Sequence, residues 1–167
     1  MERRQFLTAA GTGSLGALGG CTALVPGGSD RHPFAGSTLS VRVEDQGSTA
    51  HDVEAISRET LDFWAAESSQ YAGFEIDFEI SESEPDIVLA YVDTPEQCSD
   101  VENYSSDVLG CAPLLEAGTR VPKPVTAVVV AADRPVGSIR TTAQHEIGHV
   151  LWLGHDDAPL EIMSNLP

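Results

Sequence analysis

Lysine is nearly absent: Lys123 is the only one in 167 residues, and nine basic side chains in all stand against 26 acidic ones, a formal net charge of −17. A surface of that sign repels phosphate backbones and anionic headgroups, which excludes nucleic acid and an acidic bilayer surface as partners. Long apolar runs are missing too. The stretch 8–20 is rich in Gly, Ala and Leu, but it is too short and too Gly-rich to span a bilayer. Cysteine is limited to Cys21, Cys98 and Cys111. The length leaves room for one domain.

What is present is concentrated near the end, in the run His145-Glu146-Ile147-Gly148-His149-Val150-Leu151-Trp152-Leu153-Gly154-His155. His145 and His149 are four residues apart, so on a helix their imidazoles project from one face and can share a metal ion. Glu146 lies beside the first histidine, where it can reach a water at the metal without being a ligand. His155 is six residues past His149 and joins the pair only if the chain turns back after the helix. Catalytic zinc sites keep three protein ligands and one open position, a count that three histidines meet.

With Met163 in Ile162-Met163-Ser164, eight residues beyond His155, this run resembles the zinc signature of the metzincins and is most similar to that of the matrixin-like endopeptidases. The resemblance implies an α/β fold: a twisted, mixed, mostly parallel sheet with an antiparallel edge strand and two main helices. It implies one catalytic Zn2+ held by His145, His149 and His155, with Met163 in a turn beneath it. Glu146 would be general base toward water and then general acid toward the leaving amine. The resemblance also makes 108–114 the edge strand, with Leu109, Gly110, Cys111 and Ala112 lying beside an extended peptide substrate. Pro113, which has no amide donor, suits such an edge. Calcium is the other ion found in such folds. Asp93, Glu96, Asp100, Glu102 and Asp107 are its candidates, but their spacing follows no regular oxygen-ligand pattern and reads as a solvated loop.

Two departures from the family pattern stand out. Trp152 occupies the place of the glycine that ends the helix and turns the chain, and a Trp tolerates positive φ poorly. Either the turn slides to Gly154, or the third ligand is displaced and Asp156 substitutes. The sequence also runs only four residues past Met163, where matrixins continue into a last helix. These departures motivate an alternative from another class, a cell-surface zinc-binding module without turnover. Hydrolysis of a non-peptide amide is a third reading.

The beginning of the chain carries its own resemblances. Arg3-Arg4-Gln5-Phe6-Leu7 is similar to a twin-arginine export signal, and Leu18-Gly19-Gly20-Cys21 to a lipobox, where the signal is cut and the cysteine is lipidated. Together they imply a protein exported by the twin-arginine route and held on the outer face of the cell membrane through a lipid on Cys21. Setting aside Glu2, Arg3 and Arg4 leaves a charge of −18, and an exported chain so acidic and lysine-poor resembles the proteins of halophiles. In that oxidising setting, and with Cys21 taken by lipid, Cys98 and Cys111 are expected to form a disulfide. A cysteine ligand to the metal is the alternative.

The expected organisation is a signal segment 1–21, a flexible tether 22–36 built around Pro26-Gly27-Gly28-Ser29, and a monomeric, minimal matrixin-like domain 37–167. The tether has no cysteine with which to cap a zinc. Within the domain, alternation predicts strands at 38–43 and 74–80, and continuous apolar runs predict inner strands at 86–92 and 125–131. Val53, Ile56, Thr60, Phe63 and Trp64 define one face of a helix over 52–71, with His51 at its start. A second helix carries the motif, capped by Ser138 or Thr141 and burying Ile139, Ala143, Ile147, Val150 and Leu151.

Overall fold

The computed structural model describes residues 32–100, 105–115, 121 and 123–164. The export motif, Cys21 and most of the tether lie outside the described residues. The fold is mixed α/β: β1 (Thr38–Asp45), α1 (Val53–Tyr71), β2 (Asp77–Ile80), β3 (Ile87–Val92), β4 (Gly110–Cys111), β5 (Val125–Val130), α2 (Val136–Val150) and α3 (Leu160–Met163). A 3-10 turn, Pro95–Cys98, follows β3. The five strands lie in the order β2-β1-β3-β5-β4, all parallel except β4, which runs antiparallel to β5.

β2 and β3 are parallel strands on opposite sides of β1, yet only six residues connect them. The register explains this. Ile80 at the end of β2 and Ile87 at the start of β3 both align with Val41, so β2 covers the first half of β1 and β3 the second. The chain steps across the end of one pairing into the start of the next without running back along the sheet. Lys123 pairs with Asp86 at this junction, and Asp86 Oδ2 also accepts the Ser40 amide at 3.0 Å.

β3 and β5 form the centre. Every residue of β3 is buried, as the continuous apolar run requires of a strand covered on both faces. α1 and α2 pack on the sheet and on each other. The α1 face predicted from spacing holds: Val53, Ile56, Thr60 and Trp64 are buried, with Phe63 partly so. Asp52 caps the helix, its carboxylate accepting the Ala55 amide at 2.9 Å. Trp64 is the bridge between helices, fully buried, with its indole N–H donating to the Gln144 carbonyl at 2.8 Å. Tyr91 on β3 donates to Ser57 Oγ at 2.8 Å, while Ser57 donates to the Val53 carbonyl.

Several expectations need correction. His32 and Phe34, assigned to the tether, are buried. His32 stacks on Phe74 at 4.6 Å and donates from Nε2 to the Val150 carbonyl, while Nδ1 accepts the Phe34 amide. The folded region thus begins before Ser37, because this short apolar segment covers the end of α2. Neither Ser138 nor Thr141 caps α2. Pro135 is the capping residue, its ring presetting φ at −63°, and Thr141 Oγ1 instead donates back to the Gly137 carbonyl at 3.0 Å. The edge strand is shorter than the predicted 108–114: only Gly110 and Cys111 ladder with β5, with one further bond from the Val130 amide to Leu109.

Cys98 and Cys111 are joined in a disulfide, tying β4 to the 3-10 turn across a separation of 13 residues. This excludes either as a free metal ligand. A loop of that length gives about 3 kcal/mol in the chain-entropy model. A Cys98→Ala/Cys111→Ala double variant is therefore expected to lose about that much stability, read as a lower urea midpoint with an unchanged slope.

Candidate metal centre

α2 presents His145 and His149 on one face because they are one helical turn apart. The opposite face, Ile139, Ala143, Ile147, Val150 and Leu151, is fully buried against the sheet and α1. The helix ends at Val150, and the chain then turns through Trp152, which adopts φ +74° and leaves its side chain 43% exposed between buried Leu151 and Leu153. The turn does not slide to Gly154. Trp152 takes the left-handed conformation itself, and its amide donates to the His149 carbonyl at 3.0 Å.

The consequence is that His155 comes back to the pair. Ligand atoms of His145, His149 and His155 all lie within 4.8 Å of one another, the only such group of His, Cys, Asp or Glu among the described residues. Ring centroids are 4.5 Å apart for His145 and His149, 5.2 Å for His145 and His155, and 4.9 Å for His149 and His155. Asp156 is exposed and not part of the group. Asp157 accepts the Gly154 amide at 2.7 Å and so closes the turn instead. Glu102 lies outside the described residues, and the other calcium candidates form no comparable group among them. Asp93 is engaged with the Ser48 amide and hydroxyl.

Two backbone carbonyls orient His145, which is buried, and His149, which is partly buried. His145 Nδ1 lies 2.7 Å from the Ile162 carbonyl and His149 Nδ1 lies 2.8 Å from the Leu153 carbonyl. A carbonyl only accepts, so each Nδ1 carries the proton and each Nε2 keeps its lone pair for a cation. Burial lowers the His145 pKa and pushes that of His149 down to about 4, with the neighbouring histidines adding to the shift in both. Both are neutral at neutral pH, as metal ligation requires. An all-imidazole set of three is a donor set that a borderline divalent metal ion accepts.

Glu146 sits on α2 between the ligands and is 3% exposed. Its Oε2 has no hydrogen-bond partner among the described residues, and desolvation raises its pKa to about 8. A buried carboxyl left without a partner beside three convergent imidazoles fits a site completed by a cation and water.

Met163 is fully buried at the end of α3 and packed against Gly148. A Cβ at Gly148 would collide with Met163 Sδ and come within 3.1 Å of Trp64. The sequence reading missed this glycine, although an isolated Gly inside a helix is itself a signal of close packing. It also missed the Ile162 and Leu153 carbonyls, which no side-chain pattern announces. Of the predicted edge residues, Gly110 lies against Glu146, Cys111 is in the disulfide, and Leu109 and Ala112 are partly buried. A separate cleft of about 410 Å³ lies between His32, Gly36, Gly73, Phe74 and Trp152, and none of the three histidines lines it.

No protein-family model matches the chain, and no curated protein matches it. Two solved structures of myroilysin are similar at 22% identity, one with a TM-score of 0.42 over 76% of this chain and 52% of that one. The other has a TM-score of 0.36, over 77% of this chain and 48% of that one. The chain thus spans about half the length of those structures, and a likeness this loose does not define a shared fold.

Two outcomes are expected. A bulky residue in the left-handed region costs roughly 1–2 kcal/mol, a relief that glycine's entropy and the lost burial of the half-covered indole offset, so Trp152→Gly is expected to leave stability within about 1 kcal/mol of the parent, read by thermal melting. In metal-free protein Glu146 favours the folded state only while protonated. Its contribution is complete below about 4.5 and is lost as pH rises through about 8. Glu146→Gln is therefore expected to melt higher than the parent at pH 8, with the gap closing toward pH 4.5. His149 has the opposite sign, weakening the fold as pH falls from 6.5 toward 4.

Proposed function

We propose that this protein is a zinc-dependent endopeptidase with a minimal metzincin-like domain, most similar to the matrixins. The observation that carries the reading is the convergence of three imidazoles around a buried, unpartnered Glu146. His145, His149 and His155 would hold one zinc ion, which supplies, when bound, a Lewis acid for a carbonyl oxygen and for water.

The chain's own residues do the rest. Glu146, which a cation held by the neighbouring imidazoles would favour in its ionised form, would take a proton from the attacking water and return it to the leaving amine nitrogen. Its burial keeps bulk water from competing for that proton. The carbonyls of Ile162 and Leu153 hold the His145 and His149 imidazoles in the tautomer that leaves Nε2 free. Among the described residues β4 has one neighbour in the sheet, β5. Its other edge offers main-chain groups to an extended peptide, which supports a peptide over a small amide as substrate.

The resemblances at the start of the chain support export by the twin-arginine route and a lipid anchor on Cys21 at the outer face of the cell membrane. The acidic composition supports assay in multimolar salt. Under those conditions the full-length protein is expected to bind one zinc per chain and to cleave a mixed quenched-peptide library. Glu146→Ala is expected to keep the zinc and lose at least about a hundredfold in rate. A folded, zinc-loaded parent that cleaves nothing would leave a binding module without turnover.

A further inference from the structure

We propose that Gly110 is the positioning residue for Glu146, its missing side chain forming the space in which the carboxylate is held. The inference rests on the peptidase reading for its catalytic meaning and on packing alone for its geometry. A Cβ built on Gly110 would meet Glu146 Oε1 at 2.7 Å, Thr142 Cγ2 at 2.9 Å and the Val128 carbonyl oxygen at 2.5 Å. All three are closer than side-chain carbons approach one another, so Gly110 has no room for even a methyl group.

β4 is only two residues long, and its side chains alternate between the two faces of the sheet. Gly110 faces α2, where Thr142 and Glu146 project. Cys111 faces the other side, where its disulfide partner Cys98 packs with Val92, Val128 and Val130. One residue thus anchors the strand and the other admits the carboxylate. The Val128 oxygen belongs to the paired backbone of β5 and cannot retreat, so the strand closes on Glu146 from a fixed distance. Glu146 Oε1 is confined against the Gly110 main chain, while Oε2 is the oxygen left without a partner. The edge that would align a peptide and the group that moves the proton are in contact through a single glycine.

The test is a pair of double-mutant cycles on the full-length protein. In the zinc-loaded protein, Gly110→Ala is expected to lose about a hundredfold in kcat at unchanged zinc content, the scale of a misplacement near 1 Å. On a Glu146→Asp background, whose shorter carboxylate vacates the contact, the same change is expected to cost less than about threefold. Equal losses on both backgrounds would overturn the proposal. In metal-free protein, Gly110→Ala is expected to lower the melting temperature, and to lower it by less on a Glu146→Ala background. The same drop on both backgrounds also overturns it. If Gly110→Ala gives little soluble protein, its yield is expected to rise on the Glu146→Ala background even though the Val128 contact remains in both, and an equal yield on both backgrounds counts against the Glu146 contact. A parent that cleaves no peptide defeats the peptidase reading alone, because the melting cycle still decides whether Gly110 confines Glu146.

Discussion

The site depends on two hydrogen bonds from imidazole nitrogens to main-chain carbonyls, His145 to Ile162 and His149 to Leu153. Each fixes a ring plane and a tautomer, and each reaches outside the helix that carries the histidine. Leu153 is delivered by the turn through Trp152, and Ile162 by the four-residue helix that ends in Met163. The chain beyond α2 is therefore part of the histidine cluster that could hold a metal, not an appendage to it. Helix geometry alone would supply two imidazoles on one face, free to rotate.

The turn shows how a departure from the expected residue is absorbed. Trp152 carries a positive φ that its bulk disfavours, and the backbone bonds on either side hold it there. The Trp152 amide donates to His149, the Leu153 amide to Gly148, and the Gly154 amide to Asp157. Local strain of about 1–2 kcal/mol is small beside the cooperative burial of Leu151 and Leu153. Burial sets the path of the chain, and the indole is left half in solvent as a result.

Much of the fold was legible because the periodicities were clean. The unbroken apolar run of β3, the alternation around β1 and the spaced apolar face of α1 each had one consistent reading. The convergence of the three histidines was legible from their spacing. What escaped was set by main-chain geometry and by contacts distant in sequence. Nothing around His32 distinguishes a linker from a strap over the end of α2 until Val150 is seen to be its partner. The N-terminus of α2 was misread because Ser138 and Thr141 have the chemistry of caps, while the rigid φ of Pro135 does the work. The length of the edge strand was overestimated because pairing is limited by where β5 and the disulfide can hold it.

Gly148 brings α1, α2 and α3 to one point, with Trp64 on one side and Met163 on the other. The two unspecified places between the motif's glutamate and its second histidine are thus unlike each other and unlike free positions. Ile147 fills the core, and Gly148 marks where three helices meet with no spare volume. In this architecture every place in the five-residue signature is constrained, and Gly148 is constrained from outside it by Trp64 and Met163. Substituting either place would be read as a packing defect before it was read as a change in chemistry.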